Sequence, residues 1–283
     1  MKRLIVAAIA IGLLAAACGG NGPSALGPGP SGSPIASPSP TPTPTGGSPS
    51  PPVSPSPGKP FTFEVWFARG GKLFVTKRTV PFTVAVARLA LDGLLQGPKA
   101  EEAAADVVTY ISDFPSTGVN EVLRITALAG GVATVEASPP LPSDFLLPKA
   151  QVVFTLTQYA SIRSVRFVGD RSTYTRTSLE GQLPPIIVES PFVGQTVTSP
   201  VVVSGTADVF EAVVNVRVLD AFGRELGRTF TMASCGTGCR GDYSVSVPYT
   251  VATEQPGTVE VYEVSAKDGS AINVGDIPVI LTP

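Results

Sequence analysis

The chain of 283 residues contains no histidine. Ser-His-Asp and Cys-His nucleophile systems need an imidazole as their base, and zinc peptidases of the H-E-x-x-H type need it as a ligand. These enzyme classes are therefore excluded. The sequence also lacks the G-x-S-x-G and P-loop motifs. We predict a protein that is not an enzyme, with no catalytic residues and no cofactor.

Two weaker signals for catalysis remain. Ser-Lys and paired-carboxylate chemistry need no histidine. The one S-x-x-K motif, from Ser56 to Lys59, lies in a proline-rich tract, which is an unsuitable scaffold for a site. Glu101 and Glu102 are neighbours in an alanine-rich stretch, where the default interpretation is a solvated helix face.

Charged residues are absent from Leu4 to Gly58. The basic start Met1-Lys2-Arg3 precedes a short apolar run that ends at Ala17, which is the pattern of a secretory signal peptide. The run is shorter than the roughly 20 residues that span a bilayer. We assign residues 1–17 to the signal peptide and predict an extracytoplasmic location.

Three alanines precede Cys18, and this stretch resembles a bacterial lipobox. The resemblance implies that Cys18 is acylated and anchors the protein to the cell membrane. Ala15 stands where lipoboxes more often carry Leu, and ordinary secretion with a leftover thiol is the alternative. Residues 18–59 are rich in Pro, Ser, Thr and Gly and are predicted to be a disordered linker.

Cys235 and Cys239 enclose only three residues. Outside the cytoplasm, this spacing predicts a disulfide within a loop. A metal site is the competing interpretation, but zinc needs three or four ligands and the chain has no histidine. We therefore predict no metal site, and the ligand-binding residues remain unassigned.

Residues 60–182 are predicted to form the first folded domain. Two hairpins are expected, one over 61–75 with a turn at Gly70-Gly71 and one over 121–137 with a turn at Gly130-Gly131. A helix is predicted from Val84 to Gln96, with Thr83 as its N-cap and Gly97-Pro98 as its stop. Residues 149–159 fit both a strand, by propensity, and a helix, by periodicity.

Several of these segments resemble the GerMN domain of sporulation and spore germination proteins. The resemblance covers roughly residues 60–170. It implies an α+β fold with two helices on a mixed sheet, and it implies a helix over residues 149–159. The segments that carry it are Leu94-Leu95-Gln96-Gly97-Pro98, Val132-Ala133-Thr134-Val135, Thr155-Leu156-Thr157-Gln158-Tyr159 and Val165-Arg166-Phe167.

Residues 184–283 are predicted to form an all-β, immunoglobulin-like sandwich that folds separately, because the joint at residues 181–185 has little to bury. Residues 190–212 resemble the immunoglobulin-like domain of bacterial spore germination, notably Ser199-Pro200-Val201 and Gly205-Thr206-Ala207. Seven strands are expected, at residues 186–189, 201–207, 213–219, 225–232, 243–248, 258–266 and 274–281.

Two features of this domain invite a functional interpretation. Arg240-Gly241-Asp242 spells an integrin-type tripeptide, but three common residues in a turn arise readily by chance. Phe210 is expected in the core, while Glu211 is expected to satisfy backbone donors, with a ligand role as the alternative.

We therefore expect a membrane-anchored lipoprotein that presents two interaction domains, with a role in assembling or regulating envelope, sporulation or germination machinery. Its expected partners are the membrane, through the lipid on Cys18, and an unidentified envelope protein. The formal net charge of −2 gives no footprint for nucleic acid. The alternative is a binding module for cell-wall glycan or another small extracytoplasmic ligand.

Overall fold

The computed structural model describes residues 59–81, 85–111 and 122–283. The signal peptide, Cys18, the linker up to Gly58 and the proposed cap Thr83 lie outside the described residues. Within these ranges, no helix has the length and apolar character needed to cross a membrane.

The N-terminal region, residues 59–182, is α+β, as predicted. Its strands form an antiparallel hairpin, β1-β2, and a mixed four-stranded sheet in the order β3-β4-β5-β6, in which β4 and β5 are parallel. A short 3-10 helix at Thr177–Gln182 ends the region. The elements are β1 Phe61–Arg69, β2 Lys72–Val80, α1 Val86–Gln96, α2 Ala100–Ala103, β3 Val122–Ala129, β4 Val132–Ser138, α3 Leu147–Leu156, β5 Ser164–Phe167 and β6 Thr173–Tyr174.

The hairpin is separate from the mixed sheet because α3 occupies the second edge of β1. Gln158 accepts a hydrogen bond from Glu64 N at 2.8 Å and donates one to Glu64 O at 2.8 Å. Thr155 Oγ1 accepts from Trp66 N at 3.0 Å, and Gln151 Nε2 donates to Trp66 O at 3.2 Å. These side chains satisfy backbone groups that would otherwise pair with another strand.

Helix α3 covers most of the ambiguous stretch 149–159, so the helix implied by the GerMN resemblance is confirmed. All ten of its residues are buried. Strand propensity is overridden because a helix places Gln151 and Thr155 on one face, at i and i+4, where both reach β1. Gln158 reaches β1 from just beyond the end of the helix.

Helix α1 ends at Gln96, and Gly97 follows with φ +77°, as predicted from Gly97-Pro98. The helix lies close to β1. A Cβ on Gly93 would come within 3.3 Å of Val65 Cγ2, so glycine permits this approach.

The prediction that Glu101 and Glu102 form a solvated helix face is wrong for Glu102. Glu101 is exposed, but Glu102 is buried and pairs with Arg78 through bonds of 2.6 and 2.7 Å. Glu102 also accepts hydrogen bonds from the Thr76 hydroxyl and from Lys99 N. The pair therefore fixes α2 against β2.

The C-terminal region, residues 184–283, is all-β, as predicted, and contains all seven expected strands. A two-residue strand, β8, was not predicted. The strands form sheets in the orders β12-β9-β7 and β11-β10-β13-β14-β8. They are β7 Ile186–Ser190, β8 Thr196–Val197, β9 Val201–Ala207, β10 Val213–Asp220, β11 Glu225–Met232, β12 Gly241–Val247, β13 Gln255–Val264 and β14 Ala271–Leu281.

The core of the C-terminal region consists mainly of valines from both sheets. Alternate residues of β10 point inward, namely Val214, Val216 and Val218, and all three are fully buried. β-branched side chains suit this half-buried pleated environment. The alternation assigns Val213, Asn215, Arg217 and Leu219 to the outer face of the five-stranded sheet.

The two regions contact each other mainly through residues outside the joint at 181–185. Leu183 packs against the core of the N-terminal region, and Ile187 on β7 belongs to that core. Phe74 on β2 contacts both cores. Among residues 181–185 none is fully buried and Leu183 alone packs against a hydrophobic core. Separate folding of residues 60–182 and 184–283 stays a prediction.

Candidate functional site

Cys235 and Cys239 are joined by a disulfide, with their Cα atoms 5.7 Å apart. The ring they close is held against the end of β9. Thr237 N donates to Val209 O at 2.9 Å, and Gly238 N donates to Asp208 Oδ1 at 2.8 Å. The disulfide therefore fixes one loop at one end of the sandwich.

Four non-glycine residues with positive φ lie around this end, namely Glu211, Ala212, Thr237 and Asn273. Buried Glu263 connects two parts of the cluster, since it accepts hydrogen bonds from Phe210 N at 3.0 Å and from Asn273 Nδ2 at 2.7 Å. Left-handed backbone at such residues carries a local energetic cost and persists where surrounding contacts determine it. This end of the sandwich is therefore held in a defined shape.

Two expectations for this end are wrong. Phe210 is 54% exposed rather than in the core, and the backbone donor beside it is satisfied by Glu263 instead of Glu211. The Arg240-Gly241-Asp242 tripeptide does not form a free turn, because Gly241 is the first residue of β12.

Arg240 is half-buried, and its Nη2 donates to Pro184 O at 2.7 Å. It thus links the disulfide loop to the joint between the regions.

The outer face of the five-stranded sheet divides into a charged half and an apolar half. Strand register places Arg228, Arg217 and Glu260 in one row. Two ion pairs neutralise this half, between Arg217 and Glu260 at 2.5 Å and between Arg228 and Glu225 at 2.7 Å. Both arginines thus have carboxylate partners within the chain.

The apolar half of the same face is exposed. Register places Phe230 opposite Asn215, which in turn lies opposite Tyr262. We define the outer-face patch as four side chains on this half, whose exposed fractions are 66% for Phe230, 65% for Met232, 44% for Val264 and 44% for Val274. Single exposed apolar residues are ordinary, whereas a group of them on one sheet face is a candidate interaction site.

Sequence analysis did not identify this patch. On β11, Phe230 and Met232 alternate with Thr229 and Thr231. Alternation of this kind usually places the apolar set in the core. The pairing of Phe230 with outward-facing Asn215 shows that Phe230 and Met232 face away from the core.

One cluster contains the chemical groups that a lysine-based catalyst would use. Buried Lys149 Nζ lies 2.7 Å from Asp170 Oδ2 and 3.0 Å from the Tyr174 hydroxyl. Burial alone lowers the pKa of Lys149, but the hydrogen bonds with Asp170 and Tyr174 outweigh burial and raise it. The hydrogen bond from Lys149 is also the main cause of the lowered pKa of Asp170. The ammonium form is therefore stabilised, which suits an ion pair and opposes a role as a base.

Residues 185–270 match the family described as the immunoglobulin-like domain of bacterial spore germination. The C-terminal region is a domain of this family. The match includes β7, β9 to β13 and the disulfide loop, so the outer-face patch lies largely within the spore germination domain. No curated protein is significantly similar to the chain.

Two solved structures share weak likeness with the chain. Tandem GerMN domains of the sporulation protein GerM from Bacillus subtilis are 17% identical, over 38% of this chain and 37% of that one, with a TM-score of 0.27. CopC from Methylosinus trichosporium OB3b is 16% identical, over 35% of this chain and 94% of that one, with a TM-score of 0.24. The chain thus spans little more than a third of the GerM structure.

Proposed function

We propose that the chain is a non-enzymatic lipoprotein whose spore germination domain binds a protein partner through the outer-face patch. The role is in the assembly or regulation of sporulation, germination or other envelope machinery. The observation that carries this proposal is the exposure of four apolar side chains on one flat sheet face. Burying such side chains supplies about 1.5–3 kcal/mol each when burial is complete.

The composition of the surface favours a protein over a glycan. A glycan site calls for an exposed aromatic platform with convergent polar groups, and the patch offers a single exposed aromatic ring, Phe230. The neighbouring arginines already have carboxylate partners. Apolar contacts are therefore expected to provide most of the affinity, and binding is expected to be insensitive to salt.

The test compares two surface variants of the full chain. Replacing Phe230 and Met232 together with Ser is expected to weaken crosslinking to the partner in native membranes by about tenfold or more. Phe222→Ser is the matched control, because Phe222 is 85% exposed in the turn before β11 and lies outside the patch.

Two outcomes would contradict the proposal. One is equal loss of crosslinking in the control and the double variant. The other is loss of binding when salt is raised from about 0.05 to about 0.5 M, which would indicate an electrostatic interface. Crosslinking to a second copy of the chain, with mass doubling in sedimentation, would identify the partner as the chain itself.

The anchoring part of the proposal rests on Cys18. Cys18→Ser is expected to leave the precursor without its lipid and to move the protein from the detergent phase to the aqueous phase. Two or more acyl chains hold a protein firmly to a membrane, whereas one binds only marginally. Mass spectrometry of the mature N-terminus checks the modification directly. Unchanged partition of Cys18→Ser would rule out this anchor.

A further inference from the structure

A cleft of about 270 Å³ lies between the N-terminal and C-terminal regions. The turn between β1 and β2 forms one side, and β7 and β14 form the other. The lining contains two cations, Arg69 and Lys72, one amide, Asn273, and no carboxylate. Its other members are apolar residues and glycines. The cleft therefore combines an apolar interior with an excess of positive charge.

Neither cation has an acidic partner at ion-pair distance among the described residues. Arg69 Nη1 donates to the carbonyl of Asp276 at 2.6 Å, and the guanidinium lies 4.5 Å from the centre of the Phe74 ring. Lys72 Nζ donates to the carbonyl of Gly181 at 2.7 Å. Burial lowers the pKa of Arg69, and the more distant carboxylates of Asp276 and Asp106 offset this only in part. Both side chains thus donate to backbone carbonyls rather than to carboxylates, and Lys72 is exposed to solvent.

The placement of two positive charges side by side lowers the stability of the β1-β2 hairpin. Arg69 and Lys72 are direct cross-strand partners at the end of β1 and β2. Like charges in directly opposite positions destabilise a sheet, whereas opposite charges stabilise it. A local conflict of this kind, without compensation from a carboxylate, is characteristic of a functional site.

We propose that this cleft binds a small organic anion, with a carboxylate held by Arg69 and Lys72 and an apolar body against Phe74 and β7. Arginine and lysine together match one carboxylate, and the guanidinium can bind it in a fork geometry. At about 270 Å³ the cleft is slightly smaller than the roughly 300–1,000 Å³ of sites for drug-sized ligands, so it suits a small ligand. Such a ligand contacts both regions and stabilises their contact.

Three small molecules, each tested for binding to the full chain, distinguish the contribution of charge from that of apolar contact. Hexanoate matches the cleft in charge and size, hexanamide has the same size without charge, and acetate has the charge without the apolar body. In calorimetry, hexanoate is expected to bind about tenfold or more tightly than either of the others. Equal affinity for hexanoate and hexanamide would overturn the proposal.

The Lys72→Glu variant tests whether the cleft loses its affinity for the anion while the fold keeps its stability. It replaces a like-charge pair by an opposite-charge pair with Arg69, so the melting temperature is expected to stay the same or rise. Hexanoate binding is expected to weaken about tenfold or more. Lys267→Glu makes the same change of charge in an exposed turn outside the cleft and is expected to bind hexanoate as the unchanged chain does.

The remaining outcomes are equally decisive. Undiminished hexanoate binding by Lys72→Glu would show that the anion binds elsewhere. Equal weakening by Lys267→Glu would indicate an effect of net charge alone. A capped hexapeptide with a free C-terminal carboxylate provides the last comparison. If the peptide binds and hexanoate does not, the site recognises a protein terminus, and the assignment to a small molecule is wrong. Val274 belongs both to the outer-face patch and to the cleft lining, but Phe230 and Met232, which the patch variant replaces, do not line the cleft.

Discussion

Replacing Glu102 with Ala is expected to lower the free energy of unfolding by about 3–5 kcal/mol. Glu102 is 2% exposed and accepts two hydrogen bonds from Arg78, which is itself largely buried. Without the carboxylate, the guanidinium of Arg78 is left inside the protein with no partner of opposite charge. Urea unfolding, followed by fluorescence of the single tryptophan Trp66, measures the change within the N-terminal region.

Glu136→Ala is the control for this prediction. Glu136 pairs with Arg124 at 2.7 Å on the exposed surface of the mixed sheet. Solvent screens such a pair, and its loss is expected to cost no more than about 1 kcal/mol. A cost for Glu102→Ala as small as that for Glu136→Ala would show that the buried pair contributes little.

The ion pair between Glu102 and Arg78 is also expected to make the stability of the protein depend on pH. Burial raises the pKa of Glu102, but hydrogen bonds from Arg78, Thr76 and the backbone of Lys99 outweigh it and lower the pKa. A carboxyl group whose pKa is lower in the folded state stabilises the protein above its unfolded pKa of about 4.3. That stability is lost as the pH falls below this value. Glu102→Gln is therefore expected to reduce the difference in stability between neutral and acidic pH.

The strands of the spore germination domain could be predicted from sequence because each carries its own local signal. Val201–Ala207 and Glu225–Met232 have the predicted bounds, since turn residues bracket both runs. The exposure of Phe230 could not be predicted in this way. It depends on which neighbours the strand pairs with, and pairing is a long-range property.

The burial of Glu102 and the helical state of α3 also depend on distant partners. Glu102 becomes a core residue only because Arg78, on another element, reaches it. Helix α3 has residues of strand propensity, yet Gln151 and Thr155 bind the backbone of Trp66 only when the stretch is helical. Neither contact can be predicted from composition or periodicity. The helix was therefore predicted by the family resemblance, whereas propensity favoured a strand.

Ile186→Ala and Ile187→Ala are expected to destabilise different parts of the protein, although the two residues are neighbours on β7. Each side chain is 5% exposed. Ile186 packs in the core of the spore germination domain, whereas Ile187 packs in the core of the N-terminal region. Loss of a buried isoleucine side chain costs about 2–5 kcal/mol in either core.

Trp66 makes the two effects separable, because it lies in the core of the N-terminal region. Ile187→Ala is expected to lower the denaturant midpoint of the Trp66 transition, and Ile186→Ala is expected to leave it unchanged if the regions unfold separately. A fragment of residues 60–182 lacks Ile187 and is expected to fold with a similarly lowered midpoint. Equal shifts of the Trp66 transition in both variants would instead indicate one cooperative unit, in which Ile187 joins the two cores.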